Sequence, residues 1–165
     1  MKIRQLLAIL LVLATRASAQ SDTSAYTPLW LYNGSWSVVA DGGKDGPTQL
    51  TNHCAHTGLF FACEQVVNGK TGALVVFLPT GDSAGAHLYR TNALLANAAN
   101  PGAWGRLSIS GDHWEYPSSD VEDGKTVYWR TLNTFTGRDH IRYEIQRSAD
   151  GKVWTTTGSG QEDRR

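Results

Sequence analysis

His140-Ile141-Arg142-Tyr143-Glu144-Ile145-Gln146-Arg147 alternates polar and apolar side chains at nearly every step. A repeat of two belongs to an extended strand, whose successive side chains point to opposite faces; a helix needs apolar residues three and four apart. His113-Trp114-Glu115-Tyr116 shows the same alternation upstream. Extending the pattern outward predicts strands near Leu29–Ala40, Thr48–His53, Leu59–Val67, Ala73–Leu78, Ala86–Ala93, Arg106–Ser110, His113–Tyr116, Thr126–Thr134, His140–Arg147 and Lys152–Thr157. Between them stand Asp41-Gly42-Gly43, Asn68-Gly69, Gly111-Asp112, Asp123-Gly124 and Asp150-Gly151. These residues tolerate the positive φ that tight hairpins require. The only helix-like stretch is Leu94 to Ala99, bounded by Pro101, which is too short to be more than a loop helix.

About ten short strands joined by hairpin-length connections read as an all-β, antiparallel, up-and-down meander. Such a meander either closes or leaves two unpaired edges, and closure removes the edges. A two-sheet sandwich needs longer Greek-key crossovers than most connections here provide. The expected fold is therefore a closed barrel.

The first 19 residues have the three parts of a secretory signal: basic Lys2 and Arg4, the apolar run Leu6 to Leu13, and Ala17-Ser18-Ala19 as a cleavage site. Cleavage after Ala19 places the mature chain in a periplasm or outside the cell. Residues 20–28 read as a polar, flexible lead-in and 29–165 as one barrel domain. No later stretch is long and apolar enough for a membrane-spanning helix. Removing Lys2, Arg4 and Arg16 from the 15 basic residues leaves 12 against 15 acidic ones, a net charge of −3. That balance argues against a nucleic-acid partner, which needs a basic surface to neutralise phosphates. Two cysteines, Cys54 and Cys63, in a chain bound for an oxidising compartment predict a disulfide.

Within the first predicted strand, Leu29-Trp30-Leu31-Tyr32-Asn33-Gly34-Ser35-Trp36-Ser37-Val38, stands Gly34-Ser35-Trp36. A G-x-W on the first strand of a small exported meander resembles the calycin superfamily, the lipocalins and their relatives. The strand count and the closing Asp150-to-Trp154 hairpin look more like nitrobindin-like and bacterial lipocalin-like domains than like eight-stranded lipocalins. The resemblance implies that Gly34, Trp36 and a terminal arginine, Arg164 or Arg165, close the barrel. The arginine would lie across the indole in a cation–π contact worth on the order of 1 kcal/mol. Nitrobindin-like barrels hold haem through a histidine near the C-terminus; no histidine follows His140 here, so no cofactor is expected.

If Trp36 points inward, Trp30, Tyr32 and Val38 follow by the period of two. With Leu107, Ile109, Trp114, Tyr116, Ile141, Tyr143 and Ile145 they predict an aromatic-rich interior, suited to one small, largely apolar ligand or else filled by its own side chains. Glu64, mid-strand among apolar neighbours, would be costly facing inward unless paired, with Arg90 or Arg130. Such a pair would anchor a ligand, or Glu64 would act as an acid/base group. The alternative is that all three face solvent. The expected function is binding of a small apolar molecule by an exported barrel. The alternatives are an interaction module that presents Leu94 to Trp104 to a protein partner, and a barrel-interior acid/base enzyme using Glu64.

Other chemical signals dissolve in context. Gly81-Asp82-Ser83-Ala84-Gly85 matches G-x-S-x-G, but a nucleophile elbow needs a helix after the serine and Ala86-His87-Leu88-Tyr89-Arg90 is strand-like. His53 and His56 flank Cys54 at a spacing that could share a metal. A disulfide-bonded cysteine does not ligate and no acid lies in that segment, so no metal site is assigned. Asn33-Gly34-Ser35 fits a glycosylation sequon, but a strand is a poor place for an acceptor.

Overall fold

The computed structural model describes residues 23–43, 46–58, 60–96 and 102–165. The proposed signal, residues 1–19, lies outside the described residues. Two 3₁₀ turns, Thr23–Tyr26 and Pro28–Tyr32, precede ten strands: β1 Gly34–Ala40, β2 Thr48–Thr57, β3 Phe60–Val67, β4 Lys70–Ser83, β5 Ala86–Leu95, β6 Gly105–Ser110, β7 His113–Glu122, β8 Lys125–Thr136, β9 His140–Ser148 and β10 Thr155–Arg164. Each pairs antiparallel with the next, and β1 pairs with both β2 and β10, so the meander closes into a barrel as expected. The seam sets Trp36 opposite Arg164 and Ala40 opposite Gly160. It is extended at both ends by the Asp41 amide donating to the Ser159 carbonyl (2.8 Å) and the Arg165 amide donating to the Ser35 carbonyl (2.9 Å). Asn68-Gly69 and Asp123-Gly124 have both central residues at positive φ, the backbone twist that a two-residue hairpin needs. Ala84-Gly85 forms the same turn, so Ser83 of the G-x-S-x-G ends a strand before a hairpin.

Several strands run further than the sequence reading, among them β2 to Thr57, β4 over Lys70–Ser83 and β7 to Glu122, and three other boundaries differ for a local reason. The expected strand from Leu29 breaks at Gly34, whose φ of +124° ends the Pro28–Tyr32 turn and starts β1. There Arg164 Nη2 donates to the Leu31 carbonyl (2.7 Å) and Arg164 Nη1 to the Asn33 carbonyl (2.6 Å). The Trp36 indole N–H donates to the Tyr32 carbonyl at 3.1 Å. Carbonyls that a longer strand would give to a ladder are taken by two side chains instead. The last strand starts later and runs further than Lys152–Thr157, because the Asp150 carboxylate collects the amides of Lys152 (2.8 Å) and Val153 (2.9 Å) and folds that segment into a turn. β5 runs to Leu95, where the loop helix was expected, and residues 97–101 lie outside the described residues. The lead-in is also packed at its end: Tyr26 is buried, stacked on Phe61, and the Ala25 carbonyl accepts from the Tyr89 hydroxyl at 2.6 Å.

The interior has two unlike halves. At the end capped by the 3₁₀ turns, Leu29, Trp36, Phe61, Phe77, Tyr89, Leu107, Ile109, Trp114, Phe135 and Ile141 are all almost fully buried and form one cluster. Arg164 lies over the Trp36 ring, its guanidinium carbon 4.3 Å from the centroid. Toward the other end the register still points Ile145, Val67 and Leu95 inward, opposite Gly158, Leu50 and Ala73. Yet they are 39 %, 38 % and 52 % exposed. The barrel is solid at the plugged end and hollow at the open one. Cys54 and Cys63, opposite each other on β2 and β3, are joined in a disulfide whose Cα atoms are 4.0 Å apart.

The outer wall is polar over much of its surface, with Glu64, Arg90, Arg130, Arg142 and Glu144 all outward. Among the described residues, no helix is long and apolar enough to cross a membrane.

Candidate functional site

Above the aromatic floor, the hollow half holds a cavity of about 410 Å³ lined by Tyr32, Val38, Tyr116, Thr131, Asn133, Tyr143, Ile145 and Glu162. Six elements build it: the Pro28–Tyr32 turn, β1, β7, the facing pair β8 and β9, and β10. The register explains the space. Tyr143 and Ile145 on β9 stand opposite Gly160 and Gly158 on β10. A Cβ added at Gly160 would collide with the Tyr143 phenol and the Val39 carbonyl. The glycines thus let the tyrosine lie against the wall, where larger residues would push it across the cavity.

Among the described residues, Glu162 is the one charged side chain lining this cavity. It lies between Val38 and Ile141, 7 % exposed, and its Oε2 has no hydrogen-bond partner. Burial pushes its carboxyl up from 4.5 to about 7, because a carboxylate in apolar surroundings loses its hydration. Three phenols answer to it. Tyr116 is raised well above its ordinary value by burial and then by the charges of Tyr32 and Glu162. Tyr32 is raised by burial and by Glu162, with Asn52 and Gln65 drawing it partway back. Tyr143 is raised by burial, then by Glu162. All three phenols therefore stay protonated in neutral solution. Asn52, fully buried opposite Gln65, completes no hydrogen bond of ordinary geometry at either end of its amide. In this half of the barrel, Glu162 Oε2 is a buried polar atom that the surrounding side chains leave unsatisfied.

Of the residues expected to line a ligand site, Tyr32, Tyr116 and Tyr143 line this cavity. Trp36 and Trp114 belong to the floor beneath it. Trp30 does not face the interior space: the 3₁₀ turn directs it to the plugged end, half exposed, its ring edge-on to Phe61 at 4.9 Å. The inward placement of Glu64, Arg90 and Arg130 is corrected as well. Glu64 pairs with His53 and Leu74 on the outer face and accepts from the Thr71 hydroxyl at 3.0 Å. Arg90 lies over Trp104 (4.8 Å) and Arg130 over Trp154 (4.2 Å), both outside the barrel. Charged strand residues took the solvated face, which avoids their desolvation. His53 and His56, three apart on β2, face opposite sides: His53 is exposed, and His56 packs inward against Tyr26 at 4.4 Å between ring centroids. They cannot converge on one ion.

A second concavity, about 600 Å³, lies on the outer wall between Phe60, Ala62, Val76, Asn92, Leu94, Gly102 and Trp104. Asn92 Nδ2 holds its rim by donating to the Gly102 carbonyl at 2.7 Å.

Fold and site together define a closed ten-stranded antiparallel barrel, plugged at one end and cupped at the other, with an unpartnered carboxyl in the cup. The chain matches no protein-family model, no curated protein and no solved structure.

Proposed function

We propose that this chain is an exported, calycin-like binding protein that takes one small, largely apolar molecule into the open half of its barrel. The carrying observation is the cup itself: inward-facing Ile145, Val67 and Leu95 remain exposed above a fully packed floor. A cavity of about 410 Å³, mostly apolar with a few convergent polar groups, is the usual form of a small-molecule site. The Gly34–Trp36–Arg164 closure supports the calycin resemblance, and the disulfide fits an oxidising compartment. The test is a titration of intrinsic fluorescence with a panel of small aromatic and aliphatic compounds, beside native mass spectrometry of freshly purified protein. Saturable quenching or a co-purified small molecule supports the reading. An inert protein across the panel, with no bound mass, overturns it.

A protein-docking role is favoured by the outer groove, where Phe60, Leu94 and Trp104 are half exposed. Trp104→Ala separates the two: it weakens such docking and leaves small-molecule binding intact.

A further inference from the structure

The cup's chemistry narrows its ligand class. We propose, resting on the binding reading above, that the preferred ligand is an organic ammonium ion whose nitrogen sits against the Glu162 carboxylate among the phenol rings of Tyr32, Tyr116 and Tyr143, with its apolar body toward Val38 and Ile145.

Four observations converge. Glu162 is more than nine-tenths buried, and one of its oxygens has no donor. A buried carboxylate without a partner is an unmet demand for a cation or a donor. The other lining side chains are neutral, so nothing in the cup competes for it. Aromatic faces attract cations through their ring quadrupoles, and a carboxylate within an aromatic cage recognises ammonium groups by both terms. An anionic ligand meets only repulsion: the nearby cations are already engaged. Arg147 at the mouth donates to Glu122 at 2.6 Å, and Arg164 below is held by the Leu31, Asn33 and Arg138 carbonyls and by Asp139.

The groups facing Glu162 are Val38 from β1, Ile141 and Tyr143 from β9, Tyr116 from β7, Tyr32 from the 3₁₀ turn, and Arg164 two residues along β10. The phenols stay neutral through the neutral range, so among the side chains lining the cup it is Glu162 that changes state there. With its carboxyl half-titrated near pH 7, the ionised fraction rises about tenfold between pH 6 and pH 8. Ammonium affinity rises by about the same factor and binding releases a proton, because the cation selects the carboxylate form.

The experiment compares matched trios on several apolar bodies, for example 2-phenylethylamine, 2-phenylethanol and phenylacetate, by calorimetry at pH 6 and pH 8. The proposal expects each amine to bind at least about tenfold tighter than its alcohol at pH 8, an advantage that shrinks about tenfold at pH 6, and the weakest binding for the carboxylate. Glu162→Gln, whose folding is checked by thermal melting, should keep alcohol binding and lose the amine preference. Amines and alcohols of equal affinity in the wild type overturn the ammonium assignment while the binding reading stands. Binding of none of the trios, with an inert apolar panel, overturns both.

Discussion

Replacing Glu162 with glutamine should abolish a pH dependence of stability that the wild type carries. The carboxyl sits near 7 in the folded barrel against an ordinary 4.5. A raised pKa stabilises the fold fully below the unfolded value and loses that contribution as pH rises through the folded one. The window is therefore roughly pH 4.5 to 8, and the shift corresponds to about 3 kcal/mol. Glutamine keeps the shape and cannot ionise. Urea denaturation of both proteins in half-unit pH steps isolates the effect, since every other titrating group cancels in the difference. The variant's relative stability should be flat below pH 4.5, climb by about 1–3 kcal/mol through neutrality, and level off above pH 8. The glutamine amide adds only an offset that does not vary with pH. A difference constant from pH 4 to pH 8.5 would refute the buried, unpartnered state of this carboxyl.

Arg164→Leu should cost about 2–4 kcal/mol in denaturant unfolding, because it removes the stack on Trp36 and the bonds to three backbone carbonyls. Gly160→Ala should cost about 2–3 kcal/mol and impair ligand binding, as its methyl group meets the Val39 carbonyl and displaces Tyr143; unchanged melting and binding would contradict the register at β10. Replacing Cys54 and Cys63 together by alanine should lower stability by on the order of 2–3 kcal/mol, the gain expected for so short a loop, and the melting temperature reads it out. Glu64→Gln and Arg130→Gln, on the outer wall, should leave fluorescence-detected ligand binding unchanged.

The fold was legible because alternation and turn chemistry agree along most of the chain: Ile141, Tyr143 and Ile145 do face inward, and Asn68-Gly69 and Asp123-Gly124 do turn. The site was half legible. Tyr32, Tyr116 and Tyr143 follow from the period of two once Trp36 is placed inward. Glu162 was missed because Thr155-Thr156-Thr157-Gly158-Ser159-Gly160-Gln161-Glu162 carries little apolar alternation, and its strand looked finished at Thr157. A signal was present: if Arg164 lies across Trp36, the same period puts Glu162 and Gly160 inside. Glu64 misled for the opposite reason. Both faces of β3 are largely apolar, and the outer apolar residues Phe60 and Ala62 belong to the groove beside Trp104.

The central claim is that the open half of the barrel is a ligand-accessible cup above a solid floor. Methyl NMR of the protein titrated with 2-phenylethanol, a neutral probe, tests it most directly. Shifts at Val38 and Ile145, with Ile141 and Leu107 unmoved, are the predicted result. Shifts confined to Ala62, Val76 and Leu94 on the outer wall, or none at all, would contradict it.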